Sequence, residues 1–329
     1  MLDFLFGKDT EGLLMNQQSF SSSYELITKS CFVMGKQNPP IHVSSIANVN
    51  LQQTVEKKKI FTKVSFVDMI TETDHNNFKE SLQEMQLFTK ISPVIEVQRD
   101  EKGYIKNITN MPDMWNNWEL WKKKQLPLAV PDERKQQKII KNYETGLKTL
   151  EEIFWKNMQY TLLLPRCYKF TNYHNPLDII GRSYSSRFIE KLDIHYQLNK
   201  KSFSDKNNIV KLSLDTRLVD ENKDFEKRVI SFYETYMPDF SYKDYLFDEK
   251  VEYTFDKNTS EIIDANLFFI EKLHSNFKYT IEMNLINTTR QKLQSDKPQL
   301  TDKSTQTITN PNKKRWTILF NDDDSVVIG

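Results

Sequence analysis

Hydrophobic and polar positions alternate along much of this chain of 329 residues. Successive side chains of a β-strand point to opposite faces of its sheet, so such alternation predicts half-buried strands. The clearest examples are "VNLQQTV" at 49–55, "KVSFVDMIT" at 63–71, "KLDIHYQL" at 191–198 and "FKYTIEMNLI" at 277–286. We therefore expect a chain rich in antiparallel strands.

Two segments between the strands have the three-to-four-residue spacing of an amphipathic helix. They cover residues 75–91 and 222–236. The positions expected to face the core are Phe78, Leu82, Met85 and Phe88 in the first helix and Phe225, Val229, Phe232 and Tyr236 in the second. Single helices among antiparallel strands predict an α+β fold.

The order of these elements repeats along the chain. The same offset of 147 residues separates Asp68 from Asp215 and Phe78 from Phe225, and in both places a strand is followed by the start of a helix. The pattern predicts an internal duplication, with two related antiparallel-sheet-plus-helix halves at 20–111 and 160–286. The alternative is that two unrelated strand-rich segments share common turn residues.

The segment 112–159 has no counterpart in the second half and is predicted to be a tryptophan-rich helical connector. Pro112 suits the first turn of a helix and the lysines at 122–124 suit its last turn. A second helix is predicted from Pro131, paired with the first as a hairpin across "QLPLAVP". The apolar positions of that second helix are Ile140, Tyr143, Leu147, Leu150, Phe154 and Met158.

Trp115, Trp118 and Trp121 fall on one stripe of the first connector helix. A stripe of large aromatic side chains is typical of a face that packs on a core. The alternative is that the stripe is exposed and binds a partner helix or a membrane surface. The three tryptophans are therefore candidate partner-binding residues.

The chain ends are predicted to lie outside the two halves. Residues 1–19 form an N-terminal arm, 287–313 a polar linker and 314–329 a C-terminal β segment. Trp316, Ile318 and Phe320 alternate in that last segment, which would add to an edge of the protein's own sheet or to the sheet of a partner. The acidic run 322–324 is interpreted as a hairpin turn, with a metal site as the alternative.

Composition excludes several classes of function. The 46 basic and 45 acidic residues leave a formal net charge of +1, so no nucleic-acid partner is expected. The sequence contains no run of 18 uncharged apolar residues, so no transmembrane helix is predicted. The first residues do not resemble a secretory signal. Cys31 and Cys167 are too few for a disulfide scaffold. These features predict a cytoplasmic protein.

Motifs for catalysis or cofactor binding are missing from the sequence. The five histidines form no metal-binding pair, and the seven glycines form no phosphate-binding loop. The one local candidate for a nucleophile and its base is Cys167 with His174. We therefore expect no cofactor, no metal and no catalytic residue.

The function predicted from these observations is non-enzymatic. A duplicated sheet-and-helix unit offers a broad surface, which is typical of a protein-binding scaffold, adaptor or chaperone. The identity of its protein partner is not encoded in any motif. Two alternatives stay open, namely a ligand-binding protein with an apolar pocket between helix and sheet, and a hydrolase or transferase without a local sequence signature.

Overall fold

The computed structural model describes most of the chain between Ser19 and Ser295. The described residues are 19–35, 38–56, 59–76, 79, 82, 91, 93–168, 170, 178–219, 223–239 and 242–295. Eleven strands lie within them, with these bounds: β1 Phe20–Met34, β2 Ile41–Glu56, β3 Lys59–Thr73, β4 Val94–Arg99, β5 Ile105–Ile108, β6 Ile179–Ser185, β7 Asp193–Lys206, β8 Ile209–Leu218, β9 Leu246–Asp256, β10 Ile262–His274 and β11 Phe277–Asn287.

All eleven strands belong to one antiparallel sheet. Its spatial order is β5-β4-β3-β2-β1-β11-β10-β9-β8-β7-β6. Strands β1 to β5 and strands β6 to β11 each pair with their neighbours along the chain. The two runs join where β1 pairs with β11, in a register that places Tyr24 opposite Asn287 and Met34 opposite Phe277.

The predicted fold class is therefore wrong. The expected α+β arrangement of two duplicated sheet-plus-helix halves, 20–111 and 160–286, is replaced by a single continuous sheet. The physical reason is the pairing of β1 with β11, which satisfies the main-chain groups of both strands across the boundary between the supposed halves. The landmarks that suggested a repeat are local, and they do not specify which strands are paired.

The sheet curves round an interior, because its two outermost strands approach each other, and we call this inner side its concave face. β5 and β6 are at opposite ends of the strand order. The hydroxyl of Tyr104, the residue before β5, nevertheless lies 3.4 Å from the carbonyl oxygen of Ile179 in β6, so these two outermost strands approach each other. Every second residue of β9 from Phe247 to Phe255 is buried, as expected for a strand with one face on the core. The helices between β5 and β6 fill part of this interior.

Five α-helices connect β5 to β6, and two more α-helices with described bounds follow β6. Their bounds are α1 Met111–Lys124, α2 Leu126–Ala129, α3 Glu133–Lys148, α4 Leu150–Lys156, α5 Met158–Leu163, α6 Lys223–Tyr236 and α7 Thr288–Ser295. The two helices that the sequence predicts to pair, α1 and α3, contact each other, and the hairpin itself stays a prediction. The ring of Trp118 stacks on that of Tyr143 at a centroid distance of 4.3 Å.

The prediction of one long second helix in the connector is wrong, because the chain forms three shorter helices there, α3, α4 and α5. Asp132 caps α3 by accepting hydrogen bonds from two backbone N–H groups. Asn157 interrupts the helical run in the same way, since its side chain accepts from the N–H of Gln159 and starts α5. Tyr143, Leu147, Phe154 and Met158 are buried, whereas Ile139 replaces Ile140 as the most buried position of its turn.

The helix predicted at 222–236 is present as α6, but its buried face is shifted at the C-terminal end. Val229 and Tyr233 are buried, and Phe225 and Phe232 pack partly against the core. Tyr236 is 72 % exposed and does not belong to the core face. The helix predicted at 75–91, including Phe78, lies mostly outside the described residues.

None of the helices that the structure describes is both long enough and apolar enough to cross a lipid bilayer.

Candidate functional site

A cleft of about 460 Å³ opens between the central strands of the sheet and the helices that lie in its concavity. Four parts of the chain build it, namely β1, β11, the turn between α4 and α5, and the end of β6 with the turn that follows it. The lining residues are Thr28, Ser30, Lys156, Asn157, Met158, Gln159, Tyr184, Ser185, Arg187, Tyr279, Ile281 and Met283.

Alternate residues of β1 and β11 form the floor of the cleft. In the antiparallel register Thr28 lies opposite Met283, and Ser30 lies opposite Ile281. Side chains of directly opposed residues lie side by side on one face of a sheet. The floor therefore combines two small hydroxyl side chains with two larger apolar ones.

One polar group of this floor has no partner in the described structure. The hydroxyl oxygen of Thr28 is shielded from water and makes no hydrogen bond with any described residue. Leaving a buried polar group unsatisfied costs about 1–3 kcal/mol. A polar atom of a bound molecule at this position would satisfy it.

The wall opposite the floor is the turn between α4 and α5. It contributes Lys156, Asn157, Met158 and Gln159. The cap formed by Asn157 fixes the direction of this turn, because its side chain accepts a hydrogen bond from the backbone N–H of Gln159 in α5. Met158 at the first position of α5 is buried, so an apolar side chain faces inward here while the lysine is near solvent.

The third side of the cleft is formed by the end of β6 and the turn that follows it, and hydrogen bonds to a buried carboxylate fix its position. Glu271 in β10 is completely shielded from solvent and accepts hydrogen bonds from four neutral donors. These donors are the hydroxyls of Tyr184, Ser186 and Tyr245 and the backbone N–H of Arg187. Burial raises the pKa of the Tyr184 hydroxyl, and the charge of Glu271 raises it further. Tyr184 therefore stays a neutral donor, and the segment 184–187 is fixed beside the cleft.

Aromatic rings continue the cleft beyond Tyr279. Phe188 stacks on Phe32 of β1 at a centroid distance of 5.5 Å, and Phe32 meets Tyr279 edge-on at 6.0 Å. The guanidinium of Arg187 lies 5.6 Å from the centroid of the Tyr279 ring. The turn after β6 thus reaches across the concave face to the central strands.

Three of the tryptophans predicted as candidate partner-binding residues lie on α1, and none of these three lines the cleft. Trp118 is fully buried, and its indole N–H donates to the carboxylate of Glu144 at 3.2 Å. Trp115 and Trp121 are partly buried and pack against the core. The core interpretation is confirmed for Trp118, whereas a partner-binding role of the three residues stays a prediction.

The other candidates from the sequence are placed as follows. Trp316, Ile318, Phe320 and the acidic run 322–324 lie outside the described residues, as does His174. Cys167 is fully buried, and burial raises the pKa of its thiol well above the usual range. Among the residues that the structure describes, no group of three metal-ligating side chains comes together.

Sequence reasoning missed every residue of the cleft as a candidate site. The segment "FKYTIEMNLI" was recognised as a strand, and its alternation already places Tyr279, Ile281 and Met283 on one face. The missing information was which strand lies beside it, because β1 is at the other end of the chain. No short motif carries that pairing.

Comparison with known proteins gives no assignment. No model of a known protein family matches the chain, and no curated protein matches it. A solved structure described as lipid–protein interactions in lipovitellin matches 83 % of this chain and 25 % of that one, with 8 % identity and a TM-score of 0.38. DynF from the dynemicin biosynthesis pathway of Micromonospora chersina matches over 86 % of this chain and 93 % of its own, with 6 % identity and a TM-score of 0.19.

The chain thus spans about a quarter of the lipovitellin chain that it matches. With both TM-scores below 0.5, neither likeness supports an inference about fold or function.

Proposed function

We propose that the protein binds a small, largely apolar molecule in the cleft between β1, β11 and the α4–α5 turn. The observation that carries the proposal is the cleft itself. Its volume of about 460 Å³ falls in the range of roughly 300–1,000 Å³ that is usual for small-molecule sites. Such sites combine an apolar lining with a few placed polar groups.

The lining has that composition. Met158, Ile281 and Met283 are buried apolar side chains, and Tyr184 and Tyr279 add aromatic surface. Burying apolar area contributes about 25 cal/mol per Å², so these side chains favour an apolar ligand. The unsatisfied hydroxyl of Thr28 supplies a polar contact that would orient it.

The experiment is a binding titration with the uncharged fluorescent probe N-phenyl-1-naphthylamine. Ser30→Trp places a large ring in the cleft, and we expect it to weaken probe binding about tenfold or more by removing the space and apolar surface that the probe occupies. Ile46→Trp is the matched control, since Ile46 is 47 % exposed and does not line the cleft. We expect the control to bind the probe as the unchanged protein does.

Two results would overturn the proposal. One is the absence of probe binding by the unchanged protein, and the other is equal binding by the Ser30→Trp and unchanged proteins. Thermal melts of both variants show whether the fold is intact. If Ser30→Trp does not melt cooperatively, the smaller filler Ser30→Leu takes its place.

Protein binding as a scaffold, adaptor or chaperone stays a prediction from the sequence. The observation that bears on it is an apolar row on the convex face, where the partly buried Ile27 and the exposed Ile46 and Ile70 are cross-strand neighbours on β1, β2 and β3. Ile46 and Ile70 are 47 % and 64 % exposed. Loss of a co-purifying protein from an Ile46→Asp/Ile70→Asp variant that still binds the cleft probe would support it.

A further inference from the structure

The two charged side chains that line the cleft are both basic. Lys156 stands at the end of α4, and Arg187 stands in the turn after β6. Among the described residues of the lining there is no aspartate and no glutamate. A cleft whose charged groups are all of one sign attracts ligands of the opposite sign.

These basic groups are at the outer part of the cleft, whereas the apolar residues are deep. Met158 and Met283 are each 5 % exposed. Arg187 is an exposed residue, and 47 % of the side chain of Lys156 is exposed. An amphipathic ligand would therefore place its apolar part inward and its polar part at the mouth.

Negative charges near the mouth do not cancel this pattern. Asp193 lies 4.0 Å from the amino group of Lys156, a long separation for an ion pair, and its carboxylate also accepts a hydrogen bond from Ser185. Glu271 is fully buried, and its carboxylate accepts hydrogen bonds from the four neutral donors named above. Neither carboxylate is part of the lining.

Arg187 is also held in position. Its backbone N–H donates to Glu271 at 3.0 Å, and its guanidinium lies over the ring of Tyr279. A guanidinium fixed in this way presents several N–H donors to an anionic group in a defined direction. Its order reduces the entropy lost when a ligand binds.

We infer that the ligand of the cleft is an anionic amphiphile, with a single alkyl chain over Ile281 and Met283 and its anionic head between Lys156 and Arg187. This inference rests on the proposed binding function and specifies the class of ligand. A carboxylate and a phosphate head share the required chemistry. The apolar chain fills the deep part, and the head stays in contact with water.

The test compares probes that have the same chain and different heads. Dodecanoate, dodecyl phosphate, dodecanol and dodecyltrimethylammonium are each titrated, below the concentration at which they form micelles, against the complex with N-phenyl-1-naphthylamine. We expect at least one anionic probe to displace the dye at a concentration about tenfold lower than dodecanol, as a charge-assisted hydrogen bond predicts. The cationic probe is expected to be the weakest.

Variants assign the effect to the two basic residues. Arg187→Gln and Lys156→Gln should each weaken the anionic probe and leave dodecanol unchanged, and the double variant should remove the preference for an anionic head. Lys29→Gln is the matched control, because Lys29 is an exposed residue of β1 that does not line the cleft. It should bind all four probes like the unchanged protein.

The outcomes separate this inference from the function on which it rests. Equal displacement by dodecanoate, dodecyl phosphate and dodecanol would overturn the inference and keep the binding function. Failure of every probe, together with failure of the dye itself, would overturn both. Binding to vesicles of anionic phospholipid without binding of any monomeric probe would also overturn the inference, since it would indicate a membrane surface as the target.

Discussion

Arg182 and Glu249 form an ion pair of 3.2 Å in the interior, and the side chains of both are completely shielded from solvent. Thr161 accepts a hydrogen bond from Arg182, and Tyr196 donates one to Glu249. Removing one member of a buried pair leaves an uncompensated charge, which costs about 3–5 kcal/mol. We therefore expect Glu249→Gln to lower the free energy of unfolding by that amount, as measured by urea denaturation.

Two further variants test this explanation. The apolar pair Arg182→Met/Glu249→Leu should be less destabilised than Glu249→Gln alone, because it removes both charges together. Glu190→Gln removes an ion pair at the surface, where the side chains of Glu190 and Lys191 are 87 % and 84 % exposed. This variant should leave the free energy of unfolding unchanged. Equal losses for the buried and exposed variants would contradict the role assigned to burial.

Gly103 should not tolerate a side chain. It lies in the turn between β4 and β5 with φ +93°, and a Cβ atom there would lie 2.3 Å from the carbonyl oxygen of Pro165. The same carbonyl accepts a hydrogen bond from Arg99, so the turn is fixed against the chain that follows α5. We expect Gly103→Ala to lower the free energy of unfolding by at least about 1–2 kcal/mol.

Gly181 is the matched control for that prediction. It lies in β6, where a Cβ atom would meet no other atom within 4 Å. Alanine restricts the unfolded chain more than glycine does, so Gly181→Ala should be neutral or slightly stabilising. Parallel urea titrations of the two variants would refute the explanation if both lost the same stability.

Trp118 should contribute strongly to stability. Its ring is fully buried between the rings of Trp121 and Tyr143, at centroid distances of 5.8 Å and 4.3 Å. Trp118→Ala would leave a large cavity, and we expect it to lower the free energy of unfolding by about 3–5 kcal/mol. Leu120→Ala, on the exposed face of the same helix, should have little effect, since Leu120 is 56 % exposed.

The sequence was sufficient to predict most of the strands. The alternating segments at 49–55, 63–71 and 277–286 all lie inside β2, β3 and β11, and the segment at 191–198 starts two residues before β7. This success has a local cause, because alternation reflects one buried and one exposed face of the same strand. The helix over 112–124 was predictable for a similar reason, since its first and last turns have residues that suit helix ends.

The arrangement of these strands could not be predicted in the same way. Tyr24 and Asn287 are paired across the whole length of the described chain, and no pattern near either residue identifies its partner. The same limit applies to the cleft, where Thr28 and Met283 become neighbours only through that pairing. The local sequence specifies which side chains of a strand are buried, but it does not specify which other strand pairs with it.

The last prediction concerns alkaline pH. Burial raises the pKa of Tyr168 to about 12, and the Arg99 guanidinium, 5.3 Å from the centre of its ring, lowers it by less. An unfolded tyrosine has a pKa of about 10. Because the folded pKa is the higher one, the stability from this group is fully present below pH ~10 and is lost as the pH rises through ~12.

We therefore expect the free energy of unfolding to fall between pH ~10 and ~12. Tyr168→Phe should reduce the steepness of that fall, since the variant lacks one group whose folded pKa is raised. The measurement is urea denaturation at several pH values, with absorbance at 295 nm to follow phenolate formation. An identical pH dependence for the variant and the unchanged protein would show that Tyr168 is not titrating from a buried position.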